Sequence, residues 1–127
     1  MPQSSLHTEN VSWDAIVAGA SFGGLAFASG AAARGLRVLV LERDPVVGGV
    51  VRTTGVLFSD VLDLIDVPQR YLMNSVRRIE IRAPGHPSIS VGSDVWRFYM
   101  ADVTGMLQWM AEAAQDHGAT IRSGAIF

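Results

Sequence analysis

The hexapeptide Gly19-Ala20-Ser21-Phe22-Gly23-Gly24 closes a short apolar run, Ala15 to Ala18, and opens the small-residue stretch "LAFASGAAARG". A strand that ends in glycine and turns at once into a helix has few folds open to it. The reversal favours a residue without a Cβ, and the helix must then pack back along the strand it has just left. The same residues fit two incompatible chemistries. Gly19 to Gly23 reads as the G-x-S-x-G of a hydrolase nucleophile elbow, with Ser21 the nucleophile. Gly19 to Gly24 reads as a dinucleotide-binding glycine loop in which Ser21 stands where the middle glycine should be.

The surroundings separate the two. An acyl-transfer serine needs a base, a group that orients the base, and oxyanion donors drawn partly from an earlier loop. Only 18 residues precede Gly19, and they hold neither an earlier strand nor a glycine-rich loop. His7 lies in a polar leader, His86 sits inside a Pro-Gly-His-Pro turn, and His117 stands beside Gly118. A turn residue and a cation at a helix C-terminus suffice to explain the last two.

The phosphate-cradle reading asks for more features and finds them. Gly19 lets the chain turn out of the strand, Gly24 lets the helix pack on the sheet, and the free N–H groups of the helix start face an anion. A serine hydroxyl at position 21 can donate to a phosphate oxygen, offsetting some of the proximity its Cβ costs. The run "LRVLVLE" then reads as a second buried strand, completing a right-handed βαβ unit. It ends in Glu42, 23 residues beyond Gly19, where a carboxylate can accept from ribose hydroxyls. The bland alternative is that the glycines serve only helix–strand packing and that Glu42 is a solvated strand-end charge.

Composition removes several other classes. All ten basic residues are arginine, so a P-loop lysine, a Schiff-base lysine and a lysine general base are excluded. The chain has no cysteine, hence no disulfide, thiolate nucleophile or cysteine-held metal, and a cytoplasmic setting is compatible with that. A net charge of −2 with scattered arginines gives no basic stripe for nucleic acid and no polybasic membrane patch. Ala15 to Ala33 is uncharged for 19 residues, yet 14 of them are Gly, Ala or Ser, so no transmembrane segment is expected.

Further along, "VLFSDVLDLIDVP" places Leu57, Val61, Leu64 and Ile65 at helical spacing. Val76–Ala83 and Ser88–Val91 alternate around the Pro-Gly-His-Pro turn as an antiparallel hairpin, and "VWRFYM" can add a strand. Asp102 is placed to cap a helix whose Val103, Met106, Leu107, Met110 and Ala114 share one face. For Met106, Trp109 and Met110, core packing is expected over a lipid-facing role. Gly118 closes that helix, and "ATIRSGAIF" reads as a last parallel strand.

The expected organisation is a flexible tail over 1–12, an FAD-binding βαβ unit and glycine-rich loop over 13–70, and a hairpin segment over 71–100. The helix and third strand of the same FAD-binding domain follow over 101–127. The fold class is α/β: a Rossmann-like βαβ unit with a parallel sheet, plus an antiparallel hairpin inserted from an incomplete substrate domain. In an NAD-type half-domain the third strand follows after one crossover helix, so the long insertion here favours FAD, with an NAD(P)-binding Rossmann protein as the alternative.

The stretches "DAIVAGASFGGLAFASGAAARGLRVLVLER", "GGVVRTTG" and "MLQWMAEAAQDHGATIRSGAIF" resemble FAD-dependent oxidoreductases of the geranylgeranyl reductase-like branch, related to the p-hydroxybenzoate hydroxylase class. The resemblance implies that Gly19, Ser21, Phe22, Gly23 and Gly24 wrap the FAD pyrophosphate and that Glu42 holds the adenosine ribose. It also implies that Arg43 lies near the adenine and that the Gly48–Gly55 loop, with Arg52, borders the flavin side. Many hydroxylase-class relatives carry an arginine at the entry to the last helix; here that position is Val103. Relatives run to several hundred residues, so the expectation is the N-terminal part of an enzyme, a fragment or truncated product, or a remnant without catalysis. The implied substrate is a small molecule, isoprenoid or aromatic, and a place peripheral to a membrane stays open. No catalytic residue is assigned.

Overall fold

The computed structural model describes residues 11–126. Most of the expected tail, His7 and Phe127 lie outside the described residues. Strand β1 (Ala15–Ala18) leads through the glycine turn into helix α1 (Phe22–Ala32), and β2 (Val38–Glu42) follows. Much later come helix α3 (Val103–Asp116) and strand β8 (Thr120–Ser123). Strands β1 and β8 both pair parallel with β2, in the order β1-β2-β8. The Rossmann-like parallel sheet expected from the sequence is therefore present, with its third strand supplied from beyond the insertion.

Two crossovers that step in the same direction across a sheet, each right-handed, set their helices on the same face. Here α1 and α3 share one core cluster with Val38 and Val40, and Ala15, Val17 and Ile121 pack against it. The small residues of α1 serve this contact: Leu25 and Ala28 are fully buried, as is Ala114 of α3. Alanines at the crossing let two helices approach closely enough to bury leucine and methionine between them. Met106 and Met110 are buried here, as helix-core packing requires. On the sheet's opposite face Ile16 is in register with Leu39, and Ala18 with Leu41. Ile16 is 63% exposed on that face, while its partner Leu39 is buried.

Between β2 and α3 the chain builds antiparallel structure. Strand β3 (Val56–Phe58) runs into a short helix, α2 (Ser59–Leu64), and a single 3-10 turn (Gln69–Tyr71) leads to β4 (Leu72–Val76). A hairpin, β5 (Arg78–Ile81) and β6 (Ile89–Gly92), precedes β7 (Phe98–Ala101). Strand β7 is the centre of a β3-β7-β4 sheet, while β5 and β6 pair only with each other. In that hairpin Ile79 faces Val91 and Ile81 faces Ile89, all four exposed on one side.

Local expectations are corrected in this region. Leu57 does not share a helix with Val61, Leu64 and Ile65: it lies in β3 opposite Tyr99, and α2 buries none of its residues. The 3.6-residue spacing was real, but a six-residue helix without a packing face is outweighed by strand pairing. The hairpin begins at Arg78, because Val76 pairs with Phe98 as the end of β4. Strand β4 itself was not anticipated: "LMNSV" lacks a clean alternation and pairs on one side only. Helix α1 is closed by Gly35, with φ +84°: its N–H donates to the Ala32 carbonyl at 2.8 Å and the Leu36 N–H to the Ala31 carbonyl at 3.2 Å, while Arg34 donates to the Gly30 carbonyl at 2.7 Å.

Candidate functional site

The glycine turn is built from two constraints on the backbone. Gly19 has φ +96°, a conformation that a side chain disfavours. Gly24 faces the turn from the first turn of α1, where an added Cβ would overlap the Gly19 carbonyl oxygen and stand 3.1 Å from Val17 Cγ1. Backbone conformation accounts for Gly19 and packing for Gly24. Gly23 is different: it is exposed, its φ is ordinary, and an added Cβ would meet nothing within 4 Å. Nothing within the folded chain requires glycine at that position.

Ser21 is the N-cap of α1, yet its side chain makes no cap hydrogen bond, and no acidic residue lies in the first turn. The first turn of the helix therefore supplies neither a charge nor a side-chain cap to its own N–H groups. Neither described histidine engages Ser21. His117 Nδ1 lies 2.8 Å from Ser29 Oγ, and His86 sits in the exposed hairpin turn. Among the described residues, Ser21 thus has no histidine base within hydrogen-bond reach.

Glu42 closes the other side. Its Oε2 accepts from the Ala20 N–H at 2.7 Å and its Oε1 from the Asp44 N–H at 2.9 Å. The carboxylate ties the glycine turn to the exit of β2 while keeping lone pairs for further donors. Asp44, not singled out from the sequence, in turn accepts from Arg52 at 2.6 and 3.3 Å. The hydrogen bond from Arg52 holds the Asp44 carboxyl below its usual range, and Asp44 raises Arg52, with Glu42 adding through space. The only sequence hint of Asp44 was its place two residues after Glu42.

The Gly48–Gly55 loop is moored at both ends. Thr104 Oγ1 donates to the Gly48 carbonyl at 2.8 Å, and the Ala101 N–H donates to the Gly55 carbonyl at 2.8 Å. Asp102 caps α3 as the sequence suggested, accepting from the Gly105 N–H at 3.0 Å. These ties bring the N-terminal turn of α3 against the glycine turn. A cavity of about 150 Å³ results, lined by Ser21, Phe22, Glu42, Asp44, Arg52 and Val103 among others. A second cavity of about 240 Å³ is lined by Gly19, Glu42, Arg43 and Arg52. Phe22 also packs on the core, so its ring is a wall rather than a free contact. The structure thus brings Ser21, Phe22 and Glu42 together in the first cavity, and Gly19 and Arg43 beside the second. Glu42 and Arg52 belong to both.

No described helix is long and apolar enough to cross a membrane, and no cluster of metal-ligating side chains occurs among the described residues. A search of curated proteins finds no match to the sequence. Solved structures are more informative. A geranylgeranyl bacteriochlorophyll reductase-like protein of Thermoplasma acidophilum superposes with TM-score 0.76 at 25% identity, covering 88% of this chain and 30% of its own. The myxobacterial chondrochloren halogenase, a variant of the FAD-dependent halogenases, gives TM-score 0.64 at 23% identity over 88% of this chain and 28% of its own. Aklavinone-11 hydroxylase, solved with FAD and aklavinone, gives 0.55 at 21% identity over 89% and 25%. The chain therefore spans about a third or less of the length of these similar proteins. The model of the NAD(P)-binding Rossmann-like domain matches residues 17–99, and the chain belongs to that family.

Proposed function

We propose that this chain is the FAD-binding N-terminal portion of a flavin-dependent oxidoreductase. The observation that carries the reading is the uncapped start of α1, set beside a carboxylate at the end of β2 across a shared cavity. Such a helix start suits a pyrophosphate, and such a carboxylate suits ribose hydroxyls. Gly23 fits the same picture: with no packing reason of its own, it leaves the backbone open to a ligand. Two observations favour FAD over NAD(P). The connection from β2 to β8 carries antiparallel strands in addition to a crossover helix, and two of the similar proteins are described as FAD-dependent or as bound to FAD.

In this reading the first-turn N–H groups and Ser21 Oγ bind the pyrophosphate, Glu42 orients the adenosine ribose, and Arg43 and the Gly48–Gly55 loop flank the two ends. A bound flavin supplies hydride or oxygen chemistry. The chain's own part is to bind it, orient it and shield it through Phe22 and Val103. The reaction is reduction of an isoprenoid double bond or hydroxylation of an aromatic ring, with no catalytic side chain assigned among these residues. Titration with FAD, followed by quenching of flavin fluorescence, tests the proposal. Saturable binding that is lost in the Gly19→Ala, Glu42→Ala double variant is expected. Binding of NADP with no response to FAD would transfer the site to a nicotinamide nucleotide, and labelling of Ser21 by a fluorophosphonate would overturn it.

A further inference from the structure

Arg52 holds a position that its role as a loop residue does not explain. The two cavities flanking Glu42 have only Glu42 and Arg52 in common, so both side chains stand at their shared boundary, and Glu42 is held there by the Ala20 and Asp44 N–H groups. At about 150 and 240 Å³, neither cavity alone reaches the roughly 300 Å³ at which small-molecule sites begin. Arg52 is kept there by its paired hydrogen bonds to Asp44, whose side chain is only 18% exposed, while Arg52 itself is 51% exposed. The anchor is thus the more buried partner and the arginine the more exposed. The stretch Val50–Thr54 around Arg52 is exposed, whereas the loop's two ends are tied to α3 and β7. Arg52 can move without disturbing the loop's moorings.

Charge decides what can move it. Among the described residues Arg52 is the only cation lining the first cavity, and Val103 occupies the entry to α3 there. A guanidinium gives up one bidentate carboxylate most readily for another planar or tetrahedral anion that matches its fork.

We propose that Asp44 and Arg52 form a charge-operated gate across the nucleotide site: a phosphate-bearing ligand takes Arg52 from Asp44, and this exchange joins the two cavities. The inference rests on the nucleotide reading above and adds a selection step to it. A nucleoside without phosphate offers Arg52 no anion and meets a divided site. Asp44 is then a residue that opposes binding, and Arg52 one that favours it only for phosphorylated ligands.

Calorimetric titration of the chain with ADP and with adenosine tests this, using Asp44→Asn and Arg52→Gln. Circular dichroism checks that each variant is folded. Asp44→Asn is expected to bind ADP about two- to fivefold more tightly, the size of an exposed ion pair no longer to be broken. Arg52→Gln is expected to lose about tenfold or more in ADP affinity, as befits a charged hydrogen bond, with adenosine binding unchanged or improved. Weaker or unchanged ADP binding in Asp44→Asn would overturn the gate, because Asp44 would then be positioning Arg52 for the ligand. Equal losses for ADP and adenosine in Arg52→Gln would overturn it as well. If the folded wild-type chain binds neither ADP nor FAD, the nucleotide reading itself falls, and the gate with it.

Discussion

Gly23 and Gly24 are adjacent and chemically identical, yet they are glycine for different reasons. A Cβ at Gly24 has no room between the Gly19 carbonyl and Val17, whereas a Cβ at Gly23 has open space. Gly24→Ala is therefore expected to destabilise the fold by about 1–3 kcal/mol, as forced overpacking does, seen as a lower denaturant midpoint. Gly23→Ala is expected to keep or slightly raise that midpoint, alanine being the better helix former, while weakening FAD binding about tenfold through one obstructed charged hydrogen bond. Equal effects of the two variants on stability would show that the glycine pair is a packing device alone. Ser21→Gly belongs to the same scale. It is expected to preserve or tighten FAD binding, since it removes a Cβ from the approach to the helix start, and a complete loss of binding would give the hydroxyl the larger role. The sequence made Gly19, Ser21, Gly24 and Glu42 legible because their spacing is local and tied to one strand–turn–helix unit. It did not reveal that Glu42 also clamps the Ala20 N–H, nor that Asp44 faces Arg52, because both depend on how two loops meet in space.

Elements were legible in proportion to how far they stabilise themselves. The helix α3 carries its own cap and a full apolar face, and both read correctly from residue spacing. Strands β3 and β4 owe their state to β7, many residues away, so short-range periodicity pointed elsewhere. The start of the parallel sheet is fastened by a further pair. Asp14 accepts from the Arg37 side chain at 3.1 and 3.2 Å and from the Arg37 N–H at 2.8 Å, joining the entries of β1 and β2. The side-chain and backbone hydrogen bonds from Arg37 hold the Asp14 carboxyl below its ordinary value. A depressed carboxyl stabilises the fold fully above its unfolded value of about 4 and ceases to do so as the pH falls through its lower folded value. Thermal melts of Asp14→Asn should accordingly show a lower Tm than wild type at pH 7, with the gap closing below about pH 4. A gap that stayed constant down to pH 2 would mean that the hydrogen-bond geometry, and not the charge, fastens these strands.

At the scale of the whole molecule, the parallel sheet and its two helices follow from sequence rules about crossovers, and the match to proteins three times as long agrees with them. What those rules leave open is the insertion, where the hairpin of β5 and β6 places Ile79, Ile81, Ile89 and Val91 side by side and exposed. Arg78, Glu80 and Ser90 occupy the reverse side, so the ribbon is oily on one surface and wet on the other. A flat aliphatic ribbon with open hydrogen-bonding edges is what one chain offers another for sticking. Solutions of this chain should therefore scatter more light per molecule as concentration rises, and Ile81→Thr with Ile89→Thr should flatten that rise without lowering the Tm. Scattering that is flat in wild type would show that the ribbon folds its oily surface away. If it does rise, the handling of this polypeptide, from expression yield to crystallisation, is governed by four side chains on one hairpin of the insertion.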